Sequence, residues 1–401
     1  MSDRSGAHIV MLLANFTYPE DGRVRREATT LTASGHRVSV VCPRGTGQRW
    51  REKIDGVDVL RYPLLIEGRN ATSYILEFGY VTLASFLLSL WIAMRKGIDV
   101  VHLHNPPDVL IAVGAFHKLF GARVVYDHHD LAPEMYTARF GARASATIFR
   151  ALVMLERLSC RIADHVVTAN DSYREVELAR HRLSPDRSTV VRNGPELTRL
   201  QPVPADPVLR AGAATVICYA GVIGPQDGVD HLLRAVRHLV ADLGHTDIRC
   251  IIVGDGDALA DLRVMVEQLG LEREVCFTGR VEVRELVRHV CSADVCVEPA
   301  PSNPYNDRST MIKVMEYMAL CRPVVAFDLP EHRVSAGSSA VYVTPNDDKA
   351  LACAIAALAA DPVQRAHLGA CGRRRVEQEL AWDLMAPRLL EAYGSVLGAR
   401  A

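Results

Sequence analysis

The chain has almost no net charge: 46 lysines and arginines stand against 47 aspartates and glutamates over 401 residues, leaving −1. A nucleic-acid binder normally carries a basic excess, so nucleic acid is not an expected partner and any anion site must be local. No CxxC pair occurs among the ten cysteines, which lie at 42, 160, 218, 250, 276, 291, 296, 321, 353 and 371. Several fall inside apolar runs such as VICYA and IRCIIVG, and they read as buried thiols in a reducing cytosol. No repeat of solenoid period and no low-complexity tract is visible. The full GxGxxG spacing of a dinucleotide site is also missing, since VGDGDA breaks it, and a dehydrogenase is disfavoured. The opening MSDRSGAHIVMLL has too short an apolar run for a secretory leader and passes directly into a strand, so a cytoplasmic location is expected.

What is present is material for large cores: 49% of the residues are hydrophobic and 23% charged. The length suits about two domains of ~100–200 residues each. Short β-branched runs alternate with helical stretches throughout. HIVMLLA, RVSVVC, DVVHLH, RVVYDHH, HVVTA and STVVRNG form a first set; TVICYAG, IRCIIVGDG, EVCFTG, DVCVEP, PVVAFD and AVYVTP form a second. Continuous apolar strands separated by helices imply parallel sheets covered on both faces. The expected fold class is therefore α/β with two Rossmann-like domains, at 1–195 and 214–380, and a proline-bearing linker at 196–213. A last helix over 381–401 is expected to pack back on the first domain. Ligands of such sheets sit beyond the carboxyl ends of the strands, where two facing domains would form a cleft.

One segment stands apart. FGYVTLASFLLSLWIAM, residues 78–94, is uncharged over 17 residues and is followed by Arg95 and Lys96. Its length is at the lower limit for a spanning helix and Gly79, Thr82, Ser85 and Ser89 dilute it, which favours a buried or bilayer-touching helix over a span. Arg143, Arg150, Arg157 and Arg161 lie along one face of a later helical region, and together the two segments suit peripheral contact with an anionic membrane.

The most informative stretch is NDRSTMIKVMEYMALCRPVVAFDLPEHR, residues 306–333. Ser309 or Thr310 is placed to cap a helix whose apolar positions are Met311, Ile312, Met315 and Met318 or Ala319. Free N–H groups of a first turn, with the helix dipole behind them, make a site for phosphate. Lys313 adds a positive charge that is unfavourable there unless an anion is bound. Glu316, one turn further in, can accept hydrogen bonds from vicinal hydroxyls such as those of a ribose. Dipole, ammonium and carboxylate together match a nucleoside diphosphate, although a capped helix with an i, i+3 Lys–Glu surface pair fits the same spacing.

At these residues the chain resembles the retaining glycosyltransferases of family 4, which have the two-domain GT-B architecture. In that family a pair of glutamates eight positions apart straddles this helix start. EYMALCRPVVA supplies the second as Glu316, while the first position holds Arg308, a departure from the family's sugar-contacting glutamate that would instead face the diphosphate. The resemblance makes Gly22, Gly221, Arg308, Ser309, Thr310, Met311, Ile312 and Lys313 the expected diphosphate surroundings, and Glu316 the ribose ligand. It assigns Gly254 of IIVGDG and Gly279, Arg280 and Val281 of FTGRV to the base. After YAG the family usually shows an arginine and then a lysine; here Val222 and Asp227 stand near those places, which leaves Lys313 as the substitute cation.

In the first half, Asp127, His128, His129 and Asp130 end a strand. Two histidines and two aspartates could ligate a metal, but successive residues at a strand end point to opposite sides and do not converge readily. The resemblance gives His129 the donor sugar; His128 is read as structural, and His104, beside the turn chemistry of NPP, as a scaffolding histidine. Arg23, just after Gly22, is the arginine expected to face an anion on the acceptor side, with Glu134 and Tyr136 lining the acceptor pocket.

The resulting expectation is retaining sugar transfer from a nucleotide diphosphate sugar, a UDP-sugar ahead of a GDP-sugar, to a hydroxyl acceptor that is lipid-linked or part of a polysaccharide. His129, Lys313 and Glu316 would be the catalytic residues, and no metal or other cofactor is expected, because helix and cations would carry the leaving diphosphate. A nucleotide-sugar epimerase of the same architecture and a non-catalytic nucleotide-sugar-binding protein are the competing readings.

Overall fold

Fourteen strands in two separate sheets order the chain in a computed structural model that describes residues 6–65 and 71–398. The first sheet is built from β1 (His8–Leu12), β2 (Arg37–Arg44), β3 (Arg51–Ile54), β4 (Val57–Pro63), β5 (Val100–His104), β6 (Arg123–His128), β7 (His165–Thr168) and β8 (Ser188–Val190). Its order is β3-β4-β2-β1-β5-β6-β7-β8, parallel except for the antiparallel β3–β4 pair. The helices with it are α1 (Gly22–Ala33), α2 (Ala71–Lys96), α3 (Ile111–Leu119), α4 (Ala132–Phe140), α5 (Ala146–Ile162) and α6 (Asp171–His181).

The second sheet comprises β9 (Thr215–Ala220), β10 (Ile248–Val253), β11 (Val275–Gly279), β12 (Val295–Glu298), β13 (Val324–Phe327) and β14 (Ala340–Val343). It is wholly parallel in the order β11-β10-β9-β12-β13-β14. Its helices are α7 (Pro207–Arg210), α8 (Val229–Ala241), α9 (Leu259–Leu269), α10 (Val283–Cys291), α11 (Ile312–Ala319), α12 (Pro330–Ala336), α13 (Asp348–Ala360) and α14 (Pro362–Arg375), and α15 (Trp382–Gly398) ends the described chain. The strand order reverses between β9 and β12, which in an open α/β sheet marks the ligand position outside the carboxyl ends of those strands.

Local sequence explains the elements. Asp21 caps α1 by accepting from Val24 N–H at 2.9 Å, and Asn170 caps α6 by accepting from Tyr173 N–H at 2.7 Å. Side chains of β9 divide cleanly: Ile217 and Tyr219 enter the core under α8 and α13, while Val216, Cys218 and Ala220 enter the core under α10 and α11. Burial on both faces is why these strands are continuously apolar.

Two features differ from the sequence reading. The β3–β4 hairpin is an addition at the edge of the first sheet; Asp55 and Gly56 both take positive φ (48° and 84°) at its turn, as a two-residue hairpin loop requires. The stretch read as a linker is fastened to the second unit: Asp206 N–H donates to Ser292 Oγ at 2.9 Å, and Val203 N–H approaches Cys291 Sγ at 3.5 Å. The chain divides at Arg192/Asn193, the second unit runs to Leu384, and residues from Met385 onward belong with the first. Of the ten cysteines six are buried, and Cys353 is exposed.

Candidate active site

In the second unit the loops after β9, β10 and β12 meet the start of α11. Gly254 has φ 141°, and a Cβ there would stand 1.8 Å from Gly221 O, so only glycine lets the two strand ends cross this closely. A Cβ on Gly221 would meet Lys313 Cε at 2.9 Å; the bare backbone leaves the lysine its passage. Gly254 N–H also donates to Gly279 O at 3.1 Å, which ties the IIVGDG turn to the FTGRV loop. In that loop Arg280 is exposed and Val281 half-buried.

Lys313 is buried. Its ammonium lies 3.1 Å from Asp227 Oδ1, 3.2 Å from Glu298 Oε2 and 4.8 Å above the Tyr219 ring. Burial works against the charge, but Glu298, the Tyr219 hydroxyl and Asp227 outweigh it and hold the lysine pKa well above its usual value. This corrects the expectation of an ammonium waiting for an anion: two internal carboxylates already balance it. Asp227 is fixed in turn, accepting from Gly224 N–H at 3.1 Å, and Glu298 accepts from Ala300 N–H at 3.1 Å.

The capping expectation is corrected too. α11 begins at Ile312 behind Met311, with no side-chain cap. Ser309 Oγ donates instead to Tyr305 O at 2.8 Å, and Thr310 Oγ1 to Glu331 Oε2 at 3.0 Å. Arg308 is exposed, with one guanidinium nitrogen donating to Pro304 O at 3.0 Å. Glu316 is half-buried on the next turn of the helix.

The first unit holds a second cluster beyond β5 and β6. Arg23 is buried and grips Asp127 with Nε at 2.7 Å and a terminal nitrogen at 2.7 Å, donates to Val191 O at 2.9 Å and pairs with Glu27 at 3.1 Å. It therefore serves the interior and does not face an acceptor, the reverse of the sequence expectation. Asp127 also meets His104 Nδ1 at 2.8 Å and His129 Nδ1 at 3.3 Å. Burial opposes ionisation of Asp127, yet Arg23 and His129 keep its carboxyl well below the ordinary range. His129 is 15% exposed, and its pKa is raised because Asp127 and Asp130 outweigh burial. Glu27, His102, His104 and Asp127 bring ligand-type atoms within 4.8 Å of one another, and the positive charge set among them is the guanidinium of Arg23.

His128 turns to the other side of β6, as strand alternation requires, and sits between Glu156 Oε1 at 3.0 Å and Glu177 Oε1 at 2.9 Å. Glu134 is buried in an ion pair with Arg180, and the hydroxyl of Tyr136 accepts from Ser145 N–H at 2.9 Å, so both serve the α4–α5–α6 packing. Gly22 opens α1, with a prospective Cβ 3.3 Å from an Arg26 nitrogen. Sequence reasoning passed over Glu27, His102, Glu298 and Tyr393. A carboxylate closing an apolar strand, as in DVCVEP, is the signal that could have exposed Glu298.

Comparison with known proteins agrees with this architecture. The model described as "Glycosyl transferase 4-like domain" matches residues 22–194, and the one described as "Glycosyl transferases group 1" matches 214–361. The alpha-maltose-1-phosphate synthase of Mycolicibacterium smegmatis is 30% identical over 302 residues, 69% of this chain and 74% of that protein. The phosphatidylinositol N-acetylglucosaminyltransferase GPI3 subunit of Saccharomyces cerevisiae is 24% identical over 71% of this chain, which spans only 61% of that subunit. Among solved structures, sucrose-phosphate synthase from Thermosynechococcus elongatus superposes with a TM-score of 0.80 at 20% identity, covering 98% of this chain and 100% of that one. Anabaena HepE in complex with UDP and glucose gives 0.73 at 16% identity, covering 97% and 100%. The fold is GT-B, and the chain belongs to glycosyltransferase family 4.

Proposed function

We propose that this protein transfers a sugar, with retention of configuration, from a nucleoside diphosphate sugar to a hydroxyl acceptor. The observation that carries the reading is the meeting of Gly221, Gly254 and Lys313 at the carboxyl ends of β9 and β10, beside the start of α11. A helix start with an ammonium beside it favours a diphosphate, which would compete with Asp227 and Glu298 for Lys313, and leaving-group charge is where such a site contributes most. Glu316 is assigned to the ribose, Arg308 to the outer phosphate, and Gly279, Arg280 and Val281 to the base. His129, oriented by Asp127, is assigned to the donor sugar. Uracil is our first choice of base, as in the UDP of the HepE complex.

The acceptor we propose is lipid-linked and met at the cytoplasmic face of a membrane. The supporting observation is the inverted α2. Leu76, Leu83, Leu87 and Met94 are exposed along one stripe, whereas Ser85 and Ser89 are wholly buried and Ser89 Oγ lies 2.9 Å from His117 Nε2. Its other face packs Val81 and Ile92 into the core, so the helix would lie on a bilayer and not cross it.

The test is to incubate the protein with labelled UDP- and GDP-sugars and a membrane extract. Label appearing in lipid or polymer supports the transferase. An isomerised donor would mean an epimerase, and retention of donor without turnover a binding protein.

A further inference from the structure

The buried cluster of the first unit reaches a residue that neither the family motifs nor the site assignment uses. Tyr393, on α15, places its hydroxyl 2.8 Å from His102 Nδ1, and both side chains are buried. Burial pushes the tyrosine pKa well above its usual value, so it remains an O–H; with a Glu27 oxygen facing Nε2, the arrangement that suits both neighbours has the hydroxyl donating to Nδ1. Burial likewise drives His102 well below its ordinary value, so the ring is neutral. A neutral ring that accepts at Nδ1 must carry its hydrogen on Nε2. That nitrogen faces Glu27 Oε2 at 3.8 Å, and it has no hydrogen-bond partner among the described residues.

Glu27 is the hinge of this arrangement. It faces Arg23 on its own helix, His102 and His104 on β5, Asp127 and His129 at the end of β6, and Tyr393 on α15. Burial first, then the charge of Asp127, pushes its carboxyl up to about 7. Arg23 is shared between Glu27 and Asp127, and Asp127 contacts His129.

We propose that Tyr393 is a positioning residue for His129: by fixing His102 with N–H toward Glu27, it keeps Glu27 anionic enough to sustain the charge and orientation of His129 through Arg23 and Asp127. This rests on the sugar-contacting role assigned above to His129. Without the tyrosine hydroxyl, only the Glu27 carboxylate at 3.8 Å still selects the Nε2–H tautomer, and the Nδ1–H tautomer becomes accessible. The lone pair on Nε2 would then face Glu27 and favour its protonated form. With less negative charge nearby, His129 would give up its proton more easily.

The experiment is the pH titration of His129 followed by 15N NMR of histidine-labelled full-length protein, in the wild type, Tyr393→Phe and Glu27→Gln. Both variants are near-isosteric. The His129 midpoint should fall by about half a pH unit or more in each. The Nδ1–H share of His102 should rise in Tyr393→Phe alone. In the transferase assay, kcat should fall roughly threefold or more with donor KM unchanged, since orientation and not affinity is lost. An unmoved His129 midpoint in both variants overturns the proposal. A moved midpoint in a protein that transfers no sugar keeps the network and refutes the catalytic assignment, so the two failures are told apart.

Discussion

Lys313 Nζ stands 3.1 Å from Asp227 Oδ1, although 86 residues separate the two in sequence. Asp227 occupies a place where relatives of this fold were expected to carry a cation, and its carboxylate competes with any phosphate for the same ammonium. Asp227→Asn preserves the shape and can still accept from Gly224 N–H. We expect it to tighten binding of free nucleoside diphosphate by roughly tenfold, about 1.4 kcal/mol. Isothermal titration with UDP and GDP measures this; unchanged or weaker binding of both would place the diphosphate elsewhere.

Removing the lysine is a different experiment. Lys313→Ala leaves Asp227 and Glu298 facing one another in the interior without a counter-charge. Breaking a buried pair in this way typically costs about 3–5 kcal/mol. Urea denaturation should show that loss, and adding Asp227→Asn should restore part of it, because one of the two stranded charges is gone. Strict additivity of the two changes would count against direct coupling.

The His128 cluster predicts a pH signature. Burial opposes a charged His128, but Glu156 and Glu177 outweigh it and hold its pKa well above the ordinary value. Its stabilising contribution is therefore complete below the unfolded value of about 6.5 and is lost as pH rises through the higher native value. In that window stability should fall by about 1.4 kcal/mol per pH unit from this group. His128→Gln should lower stability at pH 7 and flatten the slope above about pH 6.5 relative to the wild type. Glu156, held below its ordinary value despite burial by His128 and His181, acts at the other end. Its contribution is present above about pH 4.3 and lost as pH falls. Urea unfolding at a series of pH values checks both limbs.

Glu27 gives a third signature, of opposite origin. Its carboxyl is raised to about 7, so the native state retains a proton that the unfolded chain releases near 4.3. Stability should decline as pH rises between those values, and Glu27→Gln should remove that decline. A wild-type curve that the variant merely offsets, with the same slope, would mean Glu27 is ionised throughout.

The twelve strands of alternating βα character were legible because each carries its own signal: a run of β-branched residues bounded by glycine, proline or a helix. The β3–β4 hairpin was missed although Asp55-Gly56 is a turn signal, since REKI at the sheet edge is half-exposed and polar. Helix α11 was legible, but its cap was not: Ser309 and Thr310 are drawn away by Tyr305 O and Glu331, and nothing in the local spacing announces Glu331. Charges fared worst. Arg23 pairs with Asp127 at a separation of 104 residues, and Lys313 with Asp227 at 86. Such partnerships follow from strand order, which brings the ends of non-consecutive strands together, so a residue's charge and position show that it needs a partner without naming which one.

The α2 surface closes the set. A helix that buries Ser85 and Ser89 while exposing Leu76, Leu83, Leu87 and Met94 has its polarity reversed for water. At its carboxyl end Arg95 stacks over Trp91 at 4.5 Å, next to Lys96, a pairing of aromatic and cation suited to lipid headgroups. Leu83→Ser with Leu87→Ser changes two side chains that are more than half exposed and lie outside the core cluster, so folding should be preserved. In vesicle flotation the wild type should rise with membranes containing anionic phospholipid and bind neutral ones less. The double variant should lose at least tenfold in partitioning, since burying each leucine contributes on the order of 1.5–3 kcal/mol. UDP binding should be unaffected. If the variant floats as well as the wild type, the stripe is not the lipid contact; if the wild type does not float and instead forms dimers that the variant abolishes, the face is covered by a second copy.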